Sequence, residues 1–222
     1  MKKIDDIEIP LDCEEALALI DHGDPRIRKR VDWIVDETIE EAQKLVKSRI
    51  LYDFLKIKTR KERYLVLENN KVFESAILVD KLRCASEVVI YIATIGSELE
   101  VRASEHFAKG EYLKGWVLDN LGIYALRATT RYLKGLIEAG RKYPVSRFSP
   151  GYNYWDISQQ KILFNILPSR EIGVELTPYL MMKPKKSVSG IMGHTEKNFD
   201  GCMICERFDC EYRRAEYEKD HS

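Results

Sequence analysis

Apolar residues recur at three- and four-residue intervals along two long stretches of the chain, and that spacing predicts helices with one buried stripe each. The first stretch carries Ile27, Val31, Ile34, Val35, Ile39, Ala42, Leu45 and Val46 on one side, with charged residues at most other positions. Asp24-Pro25 opens it as an N-cap followed by proline at the first helical position, where the missing amide costs nothing. The second stretch, residues 111–139, carries Leu113, Trp116, Val117, Leu121, Tyr124, Ala125, Ala128, Tyr132, Leu133 and Leu136. This wider face predicts the helix at the backbone of the core, and the same spacing assigns Trp33 and Trp116 to packing.

Between these stretches the period changes. Ser86-Glu-Val-Val-Ile-Tyr-Ile-Ala-Thr-Ile is almost continuously apolar, which predicts a central strand covered on both faces. Residues 51–58, 64–67 and 71–73 read as strands by their β-branched and aromatic content, with Asn69-Asn70 as the turn between the last two. Weaker signals predict a strand at 7–10 and a helix over 12–20 stopping at Gly23. Ser97 and Glu100 form a capping box that opens a helix running to about Lys109. Further along are a helix over 158–167, a strand over 171–176, strands flanking 183–186, and a charged tail expected to fray from Glu211.

The chain has 222 residues, 45% of them hydrophobic, enough for a sizeable core. It is expected to form one domain over 1–222, with a helical N-terminal portion over 1–48 and a cysteine-containing loop and tail over 194–222. Lys+Arg and Asp+Glu number 36 each, so net charge gives no reason to expect a nucleic-acid or anionic-membrane partner. No apolar run follows Lys2-Lys3 and no window approaches a membrane span, so a cytoplasmic protein is expected.

Three of the five cysteines fall in Cys202-x-x-Cys205-x4-Cys210. In a reducing compartment such a cluster points to metal or redox chemistry, because thiolates this close on a loop can reach one ion. Cys84, His194, His221 or an exogenous group would be the fourth ligand. Zinc would act as a structural staple, and an iron–sulfur cluster as an electron carrier. The alternative is a set of free thiols, or one buried cysteine with two bystanders. Cys13 and Cys84 read as small buried hydrophobes, and His106 as a surface or satisfied core residue.

Arg147-Phe148-Ser149-Pro150-Gly151-Tyr152 places a fixed cation, an unobstructed backbone and an aromatic ring at one bend. Arginine grips a carboxylate or phosphate through two parallel hydrogen bonds, glycine admits close approach, and a tyrosine ring can face a cation. Taken by its residues alone, the segment is equally an ordinary Ser-Pro-Gly turn with Arg147 paired to a surface acid.

This segment resembles the activation domain of cobalamin-dependent methionine synthase and its shorter free-standing relatives. Arg147, Pro150, Gly151 and Tyr152 carry the likeness. It continues through Gln160-Lys-Ile-Leu-Phe-Asn-Ile-Leu, Ile172-Gly-Val-Glu-Leu-Thr, Met182-Lys-Pro and Ser187-Val-Ser-Gly. The resemblance implies an S-adenosylmethionine site in which Arg147 holds the carboxylate, backbone near Phe148, Ser149 and Gly151 meets the nucleoside, and Tyr152 lies near the reacting methyl. It also implies a partner carrying cobalamin, a methyltransferase in methionine biosynthesis, with a flavodoxin-like or iron–sulfur protein supplying an electron. One departure stands out: Arg127 falls where that family is expected to place a glutamate for the ligand's amino group. That exchange favours a second reading, a non-catalytic module docking on a corrinoid protein with a structural metal site, and an electron-donating cluster protein is a third. Pattern and resemblance together predict an α+β fold, a bent and mostly antiparallel sheet with long helices packed against it.

Overall fold

The continuous apolar run becomes the axis of the molecule. In this computed structural model, which describes residues 1–140, 142–152, 155–210 and 212–218, it is strand β5 (Glu87–Thr94), with seven of its eight residues buried. Strand β2 (Ser48–Lys61) lies on one side of it and β9 (Ser187–His194) on the other, both antiparallel. Beyond β9 comes β6 (Val145–Phe148). Beyond β2 come β3 (Tyr64–Leu67) and β4 (Val72–Glu74), giving the order β4-β3-β2-β5-β9-β6. Strand β1 (Lys2–Ile7) pairs with the first half of β2, which leaves the second half for β3, and the β2–β3 register shifts between Ile57 and Thr59.

Alternation along β5 sorts its side chains into two cores. Val88, Ile90 and Ile92 join Leu51, Leu55, Phe148 and Ile191, covered by α3 (Ala76–Lys81) and α6 (Gln160–Ile166). Val89, Tyr91 and Ala93 join Ile50, Tyr52 and Met192, covered by Leu133 and Ile137 of α5 (Tyr112–Glu138). Cover on both faces is why this strand shows no polar alternation. A third apolar cluster binds the helices together. Here α1 (Cys13–Asp21), α2 (Pro25–Leu45) and α4 (Glu98–Ala108) meet α5 through Leu17, Val31, Val35, Leu99, Val117 and Leu121. Asp12 and Asp24 cap α1 and α2, each accepting at 2.8 Å from the amides of Glu15 and Arg26.

Several local expectations change. The first strand occupies 2–7 rather than 7–10, so the N-terminal portion is not wholly helical; α3 gave no signal. Ser97 closes no capping box, because its backbone is already helical (φ −102°, ψ −15°) and its side chain makes no cap bond. Glu100 instead accepts from the Lys185 amide at 2.9 Å. The strand expected over 171–176 is a 3-10 turn, Ser169–Ile172, then Gly173 at φ 72°, with only Glu175–Leu176 (β7) extended against Met182–Lys183 (β8). Trp33 and Trp116 are not core residues, being 60% and 36% exposed; the buried tryptophan is Trp155, edge-on to Phe73. Cys13 and Cys84 are half-buried thiols, and His106 is a buried residue only half satisfied, its Nδ1 bonded to Glu111 and its Nε2 without a partner among the described residues.

Candidate functional site

Arg147 lies within a strand, and the two-residue period of that strand decides what it faces. Val145 and Arg147 point to the α5 side, while Ser146 and Phe148 point to the opposite side. Arg147 pairs across the ladder with Met192, and Gly190 lets β9 pass close by: a Cβ there would lie 2.2 Å from the Phe148 carbonyl oxygen. Beneath the turn that follows, the Tyr91 phenol is fully buried, and burial pushes its pKa up. Gln160 Nε2 donates to Ser189 Oγ at 3.1 Å, and Ser187 Oγ to Thr94 Oγ1 at 2.9 Å. Several residues that carry the sequence resemblance therefore hold the Arg147 strand in place rather than face a ligand.

The bend after β6 is a closed turn. Gly151 sits at φ 87°, its amide donates to the Trp155 carbonyl at 2.7 Å, and the Tyr152 amide donates to the Ser149 carbonyl at 3.3 Å. Both amides are thus already bonded within the turn. Phe148 is buried and stacks on Phe199 at 5.5 Å, while the Tyr152 ring is 70% exposed. Asn153 and Tyr154 lie outside the described residues.

Arg147 opens onto a cavity of about 470 Å³ bounded by α1, α5, β6, Met192 of β9, residues 198–201 and Arg214. The volume falls within the usual range for small-molecule sites. Glu15, Tyr124, Arg127, Thr130, Arg131, Arg147, Asp200 and Arg214 line it. Arg147 Nη1 donates to Thr130 Oγ1 at 2.6 Å. Arg131 pairs with Glu15 at 3.0 Å, and Asp200 takes both Nε and Nη2 of Arg214 at 3.0 and 3.1 Å. Burial, the largest single influence, pulls the Arg214 guanidinium down and pushes the Asp200 carboxyl up, but their mutual bond together with the Cys202 amide and the surrounding charges outweighs it, so Arg214 ends raised and Asp200 lowered. Burial, and after it the charges of Arg214 and Arg147, hold the Arg127 guanidinium below its ordinary value.

A family model, vitamin B12 dependent methionine synthase, activation domain, matches residues 41–212. The chain belongs to this family. Among solved structures the activation-domain chain is similar to the crystal structure of the MetH reactivation domain bound to AdoHcy. The two share 16% identity and a TM-score of 0.60 over 90% of this chain and 80% of that one, a likeness of fold. No curated protein matches. The α+β architecture expected from pattern and resemblance is the architecture found, and no helix among the described residues is long and apolar enough to cross a membrane.

The cysteine loop of this activation-domain chain turns out differently from expectation. Among the described residues no three Cys, His, Asp or Glu side chains are gathered to hold a metal ion, and Cys202, Cys205 and Cys210 are half-buried free thiols. The cation at the centre of the loop is Arg213. Its guanidinium donates to the carbonyls of Cys202, Cys205 and Arg207 at 2.7 Å and of Ala215 at 3.2 Å. Cys84 and His194, named as fourth ligands, meet each other instead, the Cys84 thiol donating to the His194 carbonyl at 3.4 Å; His221 lies outside the described residues. As placed among the described residues, these side chains do not assemble a site for zinc or an iron–sulfur cluster.

Two site residues gave no warning in the sequence. Asp200 and Arg214 reach the cavity because the segment after β9 crosses the edge of β6. Ser146 Oγ holds it there, 2.7 Å from Thr195 Oγ1 and accepting from the Phe199 amide at 3.0 Å. Two small polar contacts between distant residues leave no periodic trace.

Proposed function

We propose that this chain binds S-adenosylmethionine in the cavity beside Arg147 and serves as the reactivation module of a cobalamin-dependent methyltransferase such as methionine synthase. Arg147 facing the cavity is the observation that carries the reading, because family membership makes a reactivation role the expected one and this residue supplies the fixed charge a carboxylate needs. The lining fits the ligand in two further respects. Asp200 and Glu15, although paired with Arg214 and Arg131, keep carboxylate lone pairs able to accept from an ammonium, and exposed Tyr152 in the turn after β6 presents a ring face suited to a sulfonium. Phe148 keeps the strand in register, while backbone near Ser149 and Gly151 would meet the nucleoside.

When bound, the sulfonium supplies a methyl group to the partner's cobalt, after one electron from an outside donor of the flavodoxin or iron–sulfur class has reduced it. The residues of this chain perform positioning: they fix the carboxylate end, orient the methyl toward the partner, and leave the difficult chemistry to the cofactors. The cysteine loop has no part in the electron's path on this reading.

A non-catalytic docking module remains the competing function, favoured by Arg127 at a position expected to be acidic. Calorimetric titration separates the two. S-adenosylmethionine is expected to bind with micromolar to sub-millimolar affinity, whereas no binding at millimolar ligand together with capture of a corrinoid protein would select docking.

A further inference from the structure

Helix α5 and strand β6 bring two guanidiniums, Arg127 and Arg147, to one cavity. Among the described residues neither is paired with a carboxylate: Arg147 donates to the Thr130 hydroxyl, and Arg127 lies over the Tyr212 ring at 5.4 Å. The neighbouring acids are engaged elsewhere, Glu15 by Arg131 and Asp200 by Arg214. We propose that Arg127 and Arg147 form a two-guanidinium oxyanion clamp that holds the ligand's carboxylate between them. The site thereby selects carboxylate-bearing nucleosides over those that lack the group.

Like charge around Arg127 supports the clamp. Burial and two like charges weigh on Arg127, so an anion between the guanidiniums relieves repulsion as well as forming hydrogen bonds. Only the identity of the nucleoside rests on the proposed S-adenosylmethionine site; the clamp itself rests on the paired arginines.

Three probes and one variant test it. S-adenosylhomocysteine carries the carboxylate; 5′-methylthioadenosine has the same nucleoside and thioether without it; malonate at constant ionic strength carries carboxylates alone. Arg127→Gln is expected to weaken S-adenosylhomocysteine binding roughly ten- to hundredfold while leaving methylthioadenosine binding unchanged, and Arg127→Lys to recover part of the loss. Unchanged S-adenosylhomocysteine affinity in Arg127→Gln overturns the clamp, and so does an equal loss of both nucleosides. If wild type binds neither nucleoside, the nucleoside reading fails, and malonate decides the clamp. Protection of wild type against thermal unfolding that is lost in Arg127→Gln upholds it, and no protection of wild type overturns it.

Discussion

Strand β6 and the segment after β9, which contributes Asn198 to Gly201 and Arg214, wall the same cavity, and they are held by different forces. β6 is fixed by a regular ladder to β9 and by Phe148 in the main core. The segment touches that core only through Phe199, with Met203 and Ile204 packed against it, and is otherwise held by separate polar contacts: Ser146 with Thr195, Asp200 with Arg214, and Arg213 with four carbonyls. A ladder tied into a core opens only when the domain unfolds, whereas a chain of point contacts can open locally. The wall bearing Arg147 is therefore preformed, and the wall bearing Asp200 and Arg214 is the one that can yield to a ligand.

The largest expected effect breaks the β6 wall. Phe148→Ala should cost about 3–5 kcal/mol of global stability, read as a lower denaturant midpoint with an unchanged slope. An effect below 1 kcal/mol would show that β6 is not tied to the core as described. Arg213→Ala should act on the other wall, returning four carbonyls to water and favouring local opening by about 2 kcal/mol. Amide exchange across 202–210 should accelerate while the global midpoint barely moves. A matching fall in global stability would erase the contrast between the walls.

A smaller effect concerns pH. The Asp200 carboxyl is lower in the folded chain than unfolded, so its contribution is complete above the unfolded value near pH 3.9 and is lost as pH falls through the lower folded value. With Arg214 41% exposed, the pair should contribute less than about 1 kcal/mol. Denaturation of wild type and Asp200→Asn from pH 5 to 3 should show wild type losing slightly more, and parallel curves would remove Asp200 from the account.

What could be read in advance follows from how each element is stabilised. β5, α2 and α5 were legible because one continuous apolar run and two helical stripes record burial directly in sequence. β6 was not, because Val-Ser-Arg-Phe combines a serine buried by a bond to Thr195 with an arginine facing a cavity, and only tertiary structure explains either. The spacing of Cys202, Cys205 and Cys210 suggested a metal, yet nothing in that spacing reveals that Arg213, three residues past the last thiol, supplies the central cation. Arg147 was legible through resemblance, and Arg127 only as a misfit. Their shared cavity became visible once α5 and β6 were placed side by side.

The most direct test of the account is titration of S-adenosylhomocysteine into wild type and Arg147→Ala side by side, after circular dichroism has shown both folded. Arg147 as the anchor of the carboxylate predicts a loss of about a hundredfold in affinity in the variant. Equal affinities would contradict the central claim.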